Sequence, residues 1–243
     1  MLYYGKRRGV TLRCNKFQYR IPESKMFMKK LIESGKNRLI RAANGEDFFQ
    51  KLPDKLPEEK NFCQWYLRNF GHVINSDCAK LAFTDEGYRP EDPESVSRFY
   101  SGASNYMRLL INDILYDELK KSRGKTVIFM AGGNGSGKST FCDGIREHLD
   151  ENWVIDATLA SLEAARDTME TVFALGANAV IIHIIRDPEE AWHNGVLKRA
   201  ANGSHCTPRS VFEFSHGIVS ENVATLEREF ASKGLQVYRI ENK

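Results

Sequence analysis

Apolar positions along this chain follow two different rhythms. Lys125-Thr126-Val127-Ile128-Phe129-Met130-Ala131 is a short, nearly continuous apolar run rich in β-formers, the pattern of a strand buried on both faces. Ala179-Val180-Ile181-Ile182-His183-Ile184-Ile185 is the strongest such run. Weaker ones lie at Gly71–Asp77, Trp153–Leu159 and Leu235–Ile240. Between them the period lengthens to that of a helix. Phe141, Ile145 and Leu149 recur at spacings of four, and Leu162, Ala165, Met169 and Val172/Phe173 mark a second helix ended by Gly176. A third helix is predicted over Ser210–Ser232, stopped by Gly234. Upstream, Glu23–Ala43 reads as a helix interrupted near Gly35, and Glu58–Phe70 as an aromatic-rich helix whose rings suit a core better than a base-stacking platform. Glu94–Lys121 reads as one long amphipathic helix, with Lys120, Lys121 and Arg123 at its end and Gly124 as its stop. Strands alternating with helices predict an α/β fold, a parallel sheet with helices on both faces. Pro53 and Pro57 bracket a loop, which divides the chain into a basic, partly helical extension over 1–57 and a main domain over 58–243.

Composition changes this picture little. At 243 residues, with 42% hydrophobic and 28% charged residues, the chain can bury a real core without staples. No apolar run approaches the roughly eighteen residues of a membrane span, so no membrane association is expected. The start, Met1-Leu2-Tyr3-Tyr4-Gly5-Lys6-Arg7-Arg8, has no apolar stretch behind its charges and does not read as a secretory signal. Five cysteines without CxxC pairing suit free thiols in a reducing cytoplasm. Charge is distributed unevenly. Residues 1–41 hold twelve Lys or Arg against Glu23 and Glu33, a local +10 that leaves −7 for the rest of a chain whose net charge is +3. Such an arm can bind nucleic acid or an acidic partner; the simpler reading, a solvated helix face against the acidic body, is favoured.

The decisive stretch is Gly132-Gly133-Asn134-Gly135-Ser136-Gly137-Lys138-Ser139-Thr140, which fits the phosphate-loop pattern of Gly, four residues, then Gly-Lys-Ser. It lies between a predicted buried strand and a predicted helix, as that pattern requires. Glycines let the backbone approach a ligand closely, and their N–H groups, with the helix N-terminus, cradle phosphate oxygens. The Lys138 ammonium reaches the β- and γ-phosphates, and the Ser139 hydroxyl ligates Mg²⁺. The fold is therefore read as a P-loop NTPase or kinase-like parallel sheet.

In an open parallel sheet, ligands sit beyond the carboxyl ends of the strands. Asp77, Asp156 and Asp187 stand at such ends. Asp187 precedes Pro-Glu-Glu and is read as a helix cap. Asp156 is read as an acid that helps hold Mg²⁺, with Thr158 nearby, or as a turn residue. Asp77, between Asn75 and Lys80, is placed to take a proton from a hydroxyl, or caps a turn. Lys198, Arg199, His205 and Arg209 cluster in a glycine-containing break. There a mobile Arg can stabilise phosphoryl transfer by ~10³–10⁵, unless the cluster is solvated surface. His205 and Cys206 have no partner spacing for a metal.

These residues resemble the zeta-toxin family of small-molecule kinases over roughly residues 72–243. The resemblance rests on Ala131–Thr140, Asp156-Ala157-Thr158-Leu159, and Arg199 with Gly203-Ser204-His205-Cys206-Thr207-Pro208. It implies ATP and Mg²⁺ as cofactors, a hydroxyl acceptor such as UDP-N-acetylglucosamine, and a protein partner such as an antitoxin. The order departs from the usual one. The Asn-x-Asp segment, here Asn75-Ser76-Asp77, precedes the phosphate loop, which implies a subfamily. The family's catalytic Asp then maps to Asp77. Where an Arg often follows, this chain has Lys80, which lacks the bidentate fork. The implied site has Asp77, Lys138, Arg199 and Arg209 in catalysis. It has Asn75, Lys80, Asp156, Thr158 and His205 on the substrate, and Ser139 with Asp156 on the metal. The rival readings are an ATP-switched nucleic-acid-binding or regulatory protein, and a polynucleotide 5′-hydroxyl kinase.

Overall fold

A computed structural model of the chain describes residues 23–44, 62–202 and 206–243. Five parallel strands form its centre: β1 (Val73–Asn75), β2 (Thr126–Ala131), β3 (Trp153–Asp156), β4 (Asn178–Ile185) and β5 (Gln236–Glu241). They lie in the order β1-β3-β2-β4-β5, so the strand that leads into the glycine loop is central. The register sets Asn75 beside Asp156, and Asp156 beside Met130, which brings three strand ends level.

The apolar alternation of the strands sends side chains to two cores. Ile128, Met130, Ile182 and Ile184 face one side, where α1 (Glu23–Ala43) and α7 (Lys138–Ile145) cover them with Met28, Leu31, Phe141 and Ile145. Val127, Phe129, Ala179 and Ile181 face the other. There they meet α2 (Phe62–Phe70), α8 (Leu162–Ala174) and α11 (Arg209–Phe230). Phe62, Trp65, Tyr66 and Phe70 are all buried in that second core, so the aromatic helix is structural. The remaining helices are short. They are α3 (Ser76–Lys80), α4 (Pro93–Arg98), α5 (Tyr100–Leu109), α6 (Tyr116–Lys121), α9 (Pro188–Ala191) and α10 (Lys198–Ala201).

Three expectations differ in detail. The helix over 23–43 runs through Gly35 without a break, because Gly35 is a packing site. A Cβ there would overlap the Phe141 ring, while Ser34 Oγ donates to the Gly144 carbonyl at 2.6 Å. The expected single helix over 94–121 is divided into α4, α5, a π-helical turn at Leu110–Leu115, and α6. The strand expected to end at Asp77 ends at Asn75, whose side chain accepts from the Asp77 and Cys78 amides and starts α3. A chain-reversing cap there outcompetes strand extension. Residues 1–22, Pro53, Pro57 and the start of the expected helix at Glu58 lie outside the described residues.

Two glycines test this packing. Gly217 is exposed in mid-α11 with nothing near its would-be Cβ, so Gly217→Ala is expected to stabilise by about 0.5–1 kcal/mol through helix propensity. Gly35→Leu should instead cost ~1–3 kcal/mol by overfilling the seam between α1 and α7. Urea midpoints of the two variants should move in opposite directions.

Candidate active site

The phosphate loop leaves β2 at Ala131 and enters α7 at Lys138. Two of its glycines are required by geometry. Gly137 caps α7 with φ at +102°, and a Cβ there would meet Asn242 and Leu39. A Cβ on Gly133 would overlap the His216 ring. Around the loop, other elements hold its backbone. Ser215 Oγ accepts from the Asn134 amide at 3.2 Å, and His216 Nε2 lies 2.8 Å from the Asn134 carbonyl. Arg186 Nη1 donates to the Gly135 carbonyl at 3.2 Å, and Asn242 Nδ2 to that of Ser136 at 2.8 Å.

Inside this frame Lys138 is buried, and its ammonium donates to the Gly132 and Gly133 carbonyls at 2.7 and 2.9 Å. Burial pulls the amine down to about 8, with Asp156 opposing the shift and Arg199 adding to it. Asp156 is also buried, and one oxygen accepts from both Asn75 Nδ2 at 2.6 Å and Ser139 Oγ at 3.0 Å. Burial pushes its carboxyl up, against the pull of Lys138, Asn75 and Ser139. Asn75 thus serves two elements at once: its oxygen caps α3, and its nitrogen ties β1 to β3.

Asp77 stands in the first turn of α3, with its side chain 43% exposed and paired at 2.9 Å with the buried Lys80 ammonium. Lys80 also lies 5.8 Å from the centre of the Tyr100 ring. Half-buried Arg199, in α10, donates to the Gly195 carbonyl at 3.3 Å. Burial draws its guanidinium down, while Asp77 and Asp156 draw it up, so all three share one field. Asp77, Lys80, Lys138, Ser139, Asp156 and Arg199 line a single cleft of about 1650 Å³. Asn75, Asn134, Gly135, Gly137, Thr140 and Thr158 line it too. The Thr158 carbonyl accepts from the Gly132 amide at 3.3 Å.

Other candidates lie elsewhere. Asp187 caps α9, accepting from the Glu189 and Glu190 amides at 3.0 and 3.1 Å. Arg209 is outside the cleft lining. Its guanidinium lies 4.6 Å from the centre of the Trp192 ring, and it pairs with Glu213 at 2.7 Å. His205, Gly203 and Ser204 lie outside the described residues.

Some neighbours of the site escaped the sequence reading. Arg186 ends the run after β4, one position before the acid that drew attention. Ser215, His216 and Asn242 carry no local signal. Neither does Asn222, buried in α11, whose amide donates to the Leu159 and Ala160 carbonyls at 2.9 and 3.0 Å. It holds a bend in which Leu159 has φ at +58°, strained for a branched side chain.

The donor set at Ser139 and Asp156 is two hard oxygens in hydrogen-bond contact. Among the described residues no group of three or more His, Cys, Asp or Glu could hold a metal. That set fits Mg²⁺, which keeps its waters and takes phosphate oxygens, and not a four-ligand zinc site.

Residues 149–243 match the zeta toxin family model. The match covers less than half of the chain and takes in β3, β4, β5, Asp156 and Arg199. The five-stranded parallel sheet with its glycine loop is consistent with a P-loop kinase-like α/β fold. P-loop kinase-like families typically use ATP and Mg²⁺. The phosphate loop and the Asn75–Asp77 segment precede the matched stretch. No curated protein matches the chain. Among the described residues no helix is long and apolar enough to cross a membrane.

The lowered Lys138 amine gives a pH signature. Phosphates bound at the loop raise it again, so the complex holds a proton that the free protein loses above about pH 8. Affinity for Mg·ATP should be full below pH 8 and fall by up to about tenfold per pH unit above it. Calorimetry in buffers of different ionisation heat should show proton uptake. An affinity flat from pH 7 to about 9.5 would contradict this.

Proposed function

We propose that the chain is an ATP-dependent phosphotransferase that acts on a hydroxyl of a small molecule. The observation that carries this reading is the link from Asn75 through Asp156 to Ser139. It draws the strand end that precedes Asp77 to the side of the phosphate loop where a γ-phosphate and its cation belong. Ser139 and Asp156 would hold Mg²⁺, which neutralises charge on the transferring phosphates. Lys138 is close enough to exchange its two carbonyl partners for β- and γ-phosphate oxygens.

In the reaction, Asp77 accepts the proton of the acceptor hydroxyl as its oxygen attacks the γ-phosphorus. The bond from that phosphorus to the β–γ bridging oxygen breaks, and ADP leaves with the electron pair. Arg199 faces the charge that spreads over the equatorial oxygens. Lys80 anchors Asp77 and adds a point charge for the acceptor. Lacking a fork, it gives less directional hold on a carboxylate or phosphate than arginine would. An antitoxin-like protein is the proposed partner. UDP-N-acetylglucosamine is the first acceptor to try.

Removing the base should cost turnover and spare nucleotide binding. Asp77→Asn is expected to lower kcat by ~10²–10⁴ while Mg·ATP affinity changes little. Lys138→Ala should weaken both. The assay is transfer of label from γ-labelled ATP to UDP-N-acetylglucosamine, and to a metabolite extract. Full activity in Asp77→Asn would remove Asp77 from the role. Label that enters only nucleic-acid 5′ ends would replace the acceptor class.

A further inference from the structure

α1 lies outside the zeta-toxin match, yet it reaches the phosphate loop. It runs antiparallel to α7. Ser34 and Gly35 pack on Gly144 and Phe141, and one crossing later Leu39 packs on Gly137. Leu39 Cδ2 would lie 3.0 Å from a Cβ placed on Gly137. The last turn of α1 therefore arrives at the loop itself, where Leu39, Ala42 and Ala43 line the cleft.

The strand order decides which end of a triphosphate it meets. Ser139 and Asp156 point to the β3 and β1 side, so the γ-phosphate lies there. The nucleoside must leave the loop on the opposite side, towards β4 and β5. Asn242, just beyond β5, marks that side: its amide donates to the Ser136 carbonyl, and it too abuts Gly137. Leu39 and Asn242 touch the same glycine, so the end of α1 stands on the nucleoside side. Arg38 lines the cleft one turn earlier; beyond it the cleft-lining side chains of α1 are Leu39, Ala42 and Ala43, small or apolar and suited to a base and ribose.

We propose that the C-terminal turn of α1 forms a wall of the nucleoside site, with Leu39, Ala42 and Ala43 against the base and ribose of the nucleoside triphosphate. The region before the main domain is then a donor-binding element as well as a core helix. This rests on the phosphate-loop reading above.

The test compares two probes at one pH near neutrality, Mg·ATP and magnesium with inorganic tripolyphosphate, which shares the phosphates and lacks the nucleoside. Ala42→Phe adds bulk at the half-buried position, and Ala43→Trp does so at an exposed one where folding is not at risk. Each should weaken ATP at least fivefold and leave tripolyphosphate within twofold. Ile40→Ala, at an exposed position outside the cleft lining, should alter neither. Equal weakening of both probes, or no change in either, would overturn the inference alone. Wild-type protein that binds neither probe would overturn the phosphate-loop reading and this inference with it.

Discussion

A buried lysine and a buried aspartate lie at the centre of this protein, and each offsets part of the cost of burying the other. Taking a lone charge out of water costs several kcal/mol even after relaxation. Lys138 and Asp156 are both inside, each shifted by burial and each pulled back by its counterpart. The lysine donates to the Gly132 and Gly133 carbonyls, and the aspartate accepts from Asn75 and Ser139. This arrangement demands that three strand ends be level and that α7 begin where it does. The free protein holds its lysine on its own loop carbonyls, so phosphate oxygens can replace those bonds without a large rearrangement.

Precision at that centre comes from outside it. The loop carbonyls and amides are held by Ser215 and His216 from α11, by Arg186 after β4 and by Asn242 after β5. Each comes from an element far along the chain from the loop. Fixed dipoles of this kind are what electrostatic catalysis requires, because they need not reorganise as charge develops. The strained Leu159, held by Asn222, is a local cost borne next to Asp156.

Helix α1 shows how packing and site are joined. Glycine at Gly35 and Gly144 lets two helices approach closely, and that approach carries Leu39 to the loop. The same contact that closes one face of the sheet shapes one side of the cleft. The local charge of the N-terminal region does not reveal this: Ser34, Gly35 and Leu39 make the contact together with the aliphatic stem of Arg38.

Periodicity in the sequence was enough to determine the alternation of strands and helices, and the glycine-lysine motif was enough to place the phosphate loop. Both are local: a strand buried on two faces reads as an apolar run, and a backbone cradle needs glycines at fixed spacing. Asp187 was legible as a cap for the same reason. The tertiary structure alone decided that Asn75 lies beside Asp156, that Gly35 continues a helix, and that Arg209 stacks on Trp192 away from the cleft. It alone brought Ser215, His216, Asn242 and Leu39 to the loop. Those contacts join residues distant in sequence, and strand order and helix packing set them, not any pattern the chain displays along its own length.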